Sequence, residues 1–285
     1  MKAKIWLNLA LIGALVLLSL YVYYKSGHDA APAMRLTTMK RDDVSRITVE
    51  PKSGAAIKLE KRGNSWYMTA PFAVLAETTQ VDRLVDIVNA NAKQKLANAD
   101  LPQLDLEPPA VRVTINDQAY SFGRVNDITY EQYVATAGNV YVVPPLYGYG
   151  ITTDPTKLLS RRVLAPDEIP VAFDFGRYKM VRDDKGTWAA SGDFTTAKDA
   201  PLSQDDFNRW ADEWQHTSAL SVEPDKGGGA GDTLVVRFKD GKSVSMRILQ
   251  KQPDFQLART DNAMRYHFGV EVGQRLMDPR VIAKR

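Results

Sequence analysis

The chain is 285 residues long and sets 37 Lys and Arg against 34 Asp and Glu, so its formal charge of +3 is nearly balanced. The basic residues are spread along the sequence and do not form the concentrated patch that a nucleic-acid-binding surface needs. Cysteine is absent, which excludes disulfides, thiolate catalysis and cysteine-ligated zinc together.

From Ile5 to Tyr24 the chain runs for 20 residues without a charge. A helix of that length spans about 30 Å, the thickness of the hydrocarbon core, so residues 1–24 are expected to form a short cytoplasmic tail and a single transmembrane anchor. Lys2 and Lys4 precede the run, whereas Lys25 alone follows closely and is offset by Asp29. The positive-inside rule therefore puts the N-terminus in the cytoplasm and the remainder outside. Trp6 at one end and Tyr21, Tyr23 and Tyr24 at the other fit the two aromatic belts. A competing reading is a signal peptide cleaved after Ala31-Pro32-Ala33, although such signals have shorter apolar regions. No Cys follows the run, so a lipoprotein is excluded. Ala10 and Ala14 have the small-xxx-small spacing that lets a partner membrane helix approach, a spacing that also arises often by chance.

Residues 25–38, small and polar with one Pro, are expected to act as a tether. The first module, residues 39–165, opens on a strand pattern. Ile47 and Val49, Ile57 and Leu59, and Trp66 and Met68 alternate with polar residues, with turns at Ser53-Gly54 and Gly63-Asn64. Val81, Leu84, Val85 and Val88 then fall at i, i+3, i+4 and i+7, one face of a helix, with Thr79 and Asp82 as its capping pair. After a loop from Asn98 to Pro109, four strands are expected at 111–115, 119–123, 132–136 and 140–143.

The second module, residues 166–285, repeats this order. A constant spacing of 123 residues relates Val111 to Leu234, Val113 to Val236, Val134 to Leu257 and Asn139 to Asn262. Leu158 to Leu164 aligns with Leu276 to Ile282 without a gap. Trp66 and Trp188 each stand seven positions after a matched strand residue. Phe207, Trp210, Ala211 and Trp214 reproduce the helical stripe, with Ser203 and Asp206 as the capping pair. The fold class expected is α+β: an N-terminal transmembrane helix followed by two tandem strand-rich modules, each with one principal helix.

Catalytic templates find little to match. The motifs G-x-S-x-G, H-E-x-x-H and the phosphate-binding P-loop are absent. The three His residues, His28, His216 and His267, lie far apart in sequence, so no metal site is expected. Gly227 to Gly231 follows Glu223-Pro224 and leads into a strand, whereas a phosphate loop leads into a helix, so a connecting loop is expected there. The acidic pairs Asp42-Asp43, Asp183-Asp184 and Asp205-Asp206 sit at turns or a helix start, where Asp serves backbone roles. The residues singled out for contact are Tyr141, Tyr147 and Tyr149, which accompany Pro144-Pro145 and Gly148 in a segment without a counterpart in the second module. Tyr in such a loop can stack on sugars or pack against a protein, and it can also fill a core.

Trp66 after a strand pair, a capped helix, Leu106-Glu107-Pro108-Pro109 running into Val111-Arg112-Val113-Thr114-Ile115, a Tyr-rich strand pair and the closing Arg161-Arg162-Val163-Leu164 resemble the bacterial domain of unknown function 4340 family. Asp105 stands where the family pattern has Gly. The resemblance implies a membrane-anchored, extracytoplasmic protein of the bacterial inner membrane, associated with gliding-motility-type ABC transporters. It carries over no catalytic residues. The function expected is a non-enzymatic periplasmic accessory or assembly subunit of a membrane complex, an ABC-type exporter through the resemblance, with polytopic membrane subunits as partners and no cofactor or nucleic acid. An envelope glycan-binding module is the alternative, and a hydrolase ranks below both.

Overall fold

The computed structural model describes residues 12–21, 34–193 and 202–283. Residues 12–21 form a helix, α1, with every side chain exposed. No helix among the described residues is long and apolar enough to cross a membrane. The rest of the expected span, Ala10 included, lies outside the described residues, and Ala14 is exposed on α1.

In chain order the first module holds β1 (Met34–Arg35), β2 (Arg46–Pro51), β3 (Ile57–Arg62), β4 (Ser65–Ala70), β5 (Val74–Leu75), α2 (Thr78–Val85), β6 (Asn91–Ala92), β7 (Gln94–Leu96), β8 (Val111–Ile115), β9 (Gln118–Val125), β10 (Gln132–Thr136), β11 (Asn139–Val143) and the single turn α3 (Leu146–Tyr149). The second holds β12 (Pro170–Asp174), β13 (Tyr178–Arg182), β14 (Trp188–Gly192), α4 (Gln204–His216), β15 (Ser221–Pro224), β16 (Asp232–Phe238), β17 (Ser243–Gln250), β18 (Phe255–Arg259), β19 (Met264–Phe268), α5 (Val270–Met277) and α6 (Pro279–Ala283).

The first sheet runs β5-β4-β3-β2-β8-β9-β10-β11-β7 and the second β14-β13-β12-β16-β17-β18-β19-β15. Apart from the two-residue β5, the orders coincide strand for strand. In each module the principal helix carries the chain from one edge of the sheet to the other, and the next long strand returns to the centre. Registers agree as well: Val113 pairs with Val49 in the first sheet, and Val236 pairs with Phe173 in the second. The 123-residue spacing relates β8 to β16, but it is already 124 at β9 and β17, where Val113 faces Tyr120 and Val236 faces Val244. Val134 then faces Tyr141, whereas Leu257 faces Tyr266, a spacing of 125. The β18–β19 hairpin loop is longer, so Asn139 and Asn262 occupy different places in their hairpins.

Alternation decides which face of each sheet is covered. Ile47, Val49, Ile57, Leu59, Trp66 and Met68 are all buried, and Val81, Leu84 and Val85 of α2 close over them. In the second module the ring of Phe173 lies 4.4 Å from that of Trp210 and 5.3 Å from that of Trp214, and Trp188 meets Trp210 edge-on at 6.3 Å. The indole N–H groups of Trp210 and Trp214 both donate to the Leu276 carbonyl, at 3.1 and 2.9 Å, which ties α5 to α4. Leu158 takes the matching position in the first module, where its carbonyl accepts from the amide of Glu77 at the start of α2.

Ser203 and Asp206 form the expected capping box on α4. The expected Thr79–Asp82 pair does not cap α2. That helix starts at Thr78, with Glu77 in the cap position and no side-chain cap bond. Tertiary pairing fixes this start, because the amide of Ala76 is held by the Trp66 carbonyl and that of Glu77 by the Leu158 carbonyl, both at 2.8 Å. Asp105, where the family pattern has Gly, adopts φ 54° just after a 3-10 turn. It thus keeps the left-handed backbone that Gly would supply more cheaply.

Trp66 and Trp188 pair across their hairpins with Lys61 and Arg182 and are buried to 4% and 3% exposure, but the register does not make them equivalent: Arg182 stands where Leu59 does, so Trp188 takes the place of Met68. Replacing either with Ala is expected to cost about 3–5 kcal/mol through lost burial and the cavity left behind. Chemical denaturation followed by circular dichroism measures this, and unchanged midpoints for both variants contradict the core placement of the two indoles.

Candidate functional site

The three tyrosines singled out by sequence fare differently. Tyr141 faces Val134 across the β10–β11 ladder, and both Tyr141 and Tyr147 are half-buried and packed against the core. Tyr149 is 73% exposed. The cause lies in the backbone between them. Pro144 and Pro145 end β11 at Val143, and the amides of Tyr149 and Gly150 then bond to the carbonyls of Pro145 and Leu146 to form the single turn of α3. A Cβ on Gly148 would lie 1.9 Å from Oε1 of the buried Gln132, so any larger residue there would have to push the Gln132 side-chain amide aside. Leu146 and Tyr149, three apart on that turn, point outward together.

A second loop leaves the sheet at the same end, because Gln132 at the start of β10 pairs with both Val143 and Val125. It carries Ile128 and Tyr130, 88% and 70% exposed. The Asn126 side-chain oxygen accepts from the amides of Ile128 and Thr129, at 2.9 and 3.1 Å, and holds the loop in shape. Tyr130 sits at φ 55°, a strain of order 1 kcal/mol for a non-Gly residue. Glu131 is tied to Lys93 at 2.7 Å, which keeps its carboxyl below the usual range. The sequence signal for this loop was Asn126-Asp127 followed by large apolar residues, and periodicity alone passes over it.

Between the modules, residues 158–169 form a strap that bonds to each side in turn. Ser160 donates to Leu75 of the first module, at 3.0 Å, and Ala76 bridges Leu159. Ala219 of the second module then donates to Arg161, and Gln215 donates to the Ala165 carbonyl, both at 2.9 Å. At the centre is Arg259, 7% exposed. Its Nη1 donates to the Val163 carbonyl and to Glu168, its Nη2 to Glu168 and Asp261, and its Nε to Asp261. All five N–H donors of the guanidinium are thereby used. Burial opposes the charge on Arg259, but Glu168 and Asp261 more than offset it, so the proton is held more tightly than usual. This Arg is a clamp and not a proton donor. The cleft beside it, about 320 Å³, is bordered by Arg62, Tyr67, Arg162 and Tyr266, and Tyr67 reaches across to Asp167 at 3.3 Å.

The remaining candidates are committed locally. His28 lies outside the described residues, His216 contacts the Asp212 carbonyl, and His267 lies 3.2 Å from both Asp254 and Glu223. Among the described residues no group of three or more His, Cys, Asp or Glu could hold a metal ion. Next to the Gly227–Gly231 loop, Asp225 is gripped by Arg247 and Arg265, each at 2.7 Å.

Removing Arg259 strands Glu168, Asp261 and the Val163 carbonyl. Arg259→Ala is expected to cost about 3–5 kcal/mol, and Arg259→Lys to recover only part of it, since an ammonium cannot span the same five bonds. Urea denaturation of the two variants tests this, and a midpoint shared by Lys and Arg would mean that only the charge matters.

Several carboxyls are held below their usual range, Glu131 among them, and three that brace the second module illustrate the pH dependence. Burial pushes Asp225 and Asp261 up, but Arg265 and Arg247 on one and Arg259 on the other pull them below the ordinary 3.8. Asp206 is lowered by the Ser203 amide and hydroxyl. Depressed folded-state values stabilise the protein fully above the unfolded value and lose that contribution as pH falls through the folded one. The urea midpoint is therefore expected to be flat from pH 7 to about 5 and to drop below about 4. A midpoint that rises between pH 5 and 3 contradicts this assignment.

The family profile described as Domain of unknown function (DUF4340) matches residues 66–211, from Trp66 in β4 through the strap to Ala211 in α4, just over half of the chain. No curated protein and no solved structure matches it. The chain thus belongs to the DUF4340 family, whose unit here takes in the strap and the helices on either side of it.

Proposed function

We propose that the protein is a non-enzymatic accessory or assembly subunit of a membrane complex, of ABC-exporter type, anchored in the bacterial inner membrane by its N-terminal segment with both modules in the periplasm. The observation that carries the reading is a division of labour among side chains. The buried guanidinium of Arg259 is spent on locking the strap, with Glu168 and Asp261 as its partners. The exposed large apolar side chains Ile128, Tyr130, Leu146 and Tyr149 gather at one end of the first module. A rigid pair of modules with an apolar end suits holding and positioning better than turnover. The exposed apolar side chains of α1, among them Leu15, Leu17 and Leu18, support the anchor. Membership in DUF4340 supports the exporter context through the resemblance described above.

The exposed ring of Tyr149 also favours the second reading, a glycan-stacking module. Capture of the detergent-solubilised, C-terminally tagged protein separates the two. Polytopic membrane subunits are expected to co-purify, and deleting residues 1–24 while directing the modules to the periplasm by another signal is expected to reduce that recovery. A protein that purifies alone after crosslinking, and whose modules bind peptidoglycan, overturns the assembly reading in favour of the glycan one.

A further inference from the structure

Outside α1, the large hydrophobic side chains exposed among the described residues are Met34, Ile128, Tyr130, Leu146, Tyr149, Ile169, Val181 and Leu220. The first five lie at one end of the first sheet. Ile128 and Tyr130 are on the loop entering β10, and Leu146 and Tyr149 are on the turn leaving β11. These two strands meet at the pair Gln132–Val143. Met34 joins them because its partner Ala92 directly precedes Lys93, whose amide bonds to the carbonyl of Val142 near the end of β11. Scattered exposed apolar residues need no explanation, but a cluster of this size on rigid loops does.

The chain itself indicates what covers this end. Met34 is the first described residue after α1, and the 13 peptide steps from Tyr21 to Met34 reach at most about 45 Å even when fully extended. That length ties the surface that receives α1 to the neighbourhood of the first module, where Met34 enters beside β11. The side chains gathered there are two Tyr, which settle at the headgroup level with an apolar body and a polar tip, beside Leu and Ile, which favour the acyl boundary just below. The bends that present them are built in, by the Asn126 turn under Ile128 and by the contact of Gly148 with Gln132 under Tyr149. We infer that the end of the first module bearing Ile128, Tyr130, Leu146 and Tyr149 rests on the lipid headgroup surface of the membrane that holds α1. The inference depends on the anchored reading above and adds an orientation to it: the first module lies against the bilayer, and the second is held away from it by the strap.

The chain has no Cys, so single-cysteine variants of the full-length protein report on one site each. Leu15→Cys, Ile128→Cys, Tyr149→Cys and Leu220→Cys, labelled with a polarity-sensitive fluorophore, are reconstituted into phosphatidylcholine and phosphatidylglycerol liposomes that carry a shallow nitroxide lipid. Lipid quenching of roughly twofold or more is expected at positions 128 and 149, as for groups seated in the interface. Quenching at position 15 and none at position 220 are expected alongside it. Quenching at position 15, with positions 128 and 149 reached only by aqueous iodide, overturns the inference and leaves the anchor standing. Positions 128 and 149 shielded from both quenchers mean that protein covers this end, and this also overturns it. Absence of lipid quenching at all four positions removes the anchor and the inference together.

Discussion

The architecture depends on the guanidinium of Arg259. Two sheets built alike are joined by one extended strap whose Leu158, Leu159, Val163 and Leu164 are buried in the core, and apolar packing, being non-directional, does not by itself fix the path of its backbone. Arg259 supplies the directional bonds that such packing lacks. It lies almost wholly out of solvent and spends five donors on Val163, Glu168 and Asp261. A charge buried in this way is tolerated only because every donor has a partner, and such groups are associated with fixing one arrangement more than with adding stability. The arrangement fixed here is the path of residues 158–169 across the second module.

The first module meets the same demand with neutral groups. The Gln118 side chain donates to Thr136 at 3.1 Å and to the Leu36 carbonyl at 3.5 Å, and it accepts from Thr37 at 2.7 Å. In the first module Gln118, at the start of β9, thus holds Leu36 and Thr37 and is braced by Thr136, whose place at the end of β10 is the one Arg259 takes at the end of β18. In the first module the incoming chain leads from α1, and in the second it leads from the first module. The heavier, charged version stands where two folded units must be held, and the lighter one where a single segment enters.

The opposite end of the first module follows a different logic. Strain and close contact are spent there on presentation: Tyr130 in a left-handed conformation, Gly148 set directly against Gln132, and Leu146 and Tyr149 turned outward by a helix of one turn. None of these side chains contributes to the core. The second module carries no such pair of loops; its β18–β19 hairpin is followed by α5, whose Leu276 is buried against Trp210 and Trp214. The two halves share a framework and differ at the place where the last strand ends.

Much of this framework was legible in the residues. Period-two alternation at Ile47, Val49, Ile57, Leu59, Trp66 and Met68, and the helical stripes at Val81 to Val85 and Phe207 to Trp214, depend on local geometry and are written into the order of side chains. The constant spacing between the halves carried the strand order with it, since equal patterns of burial demand equal pairings. The start of α2 was not legible, because hydrogen bonds to Trp66 and Leu158 set it and override the local Thr79–Asp82 signal. The inward face of Tyr141 was hidden by changes of hairpin length, which move the repeat from 123 residues at β8 to 124 at β9 and 125 at β11. Ile128 and Tyr130 follow no period, and nothing in the order of residues marks Arg259 as the partner of Glu168, 91 positions earlier. The sequence by itself determined which residues form strands and helices and that the pattern occurs twice, because those depend on neighbours along the chain. Only the tertiary structure decided how the halves are joined and which aromatics face outward, because both depend on contacts between residues far apart in sequence.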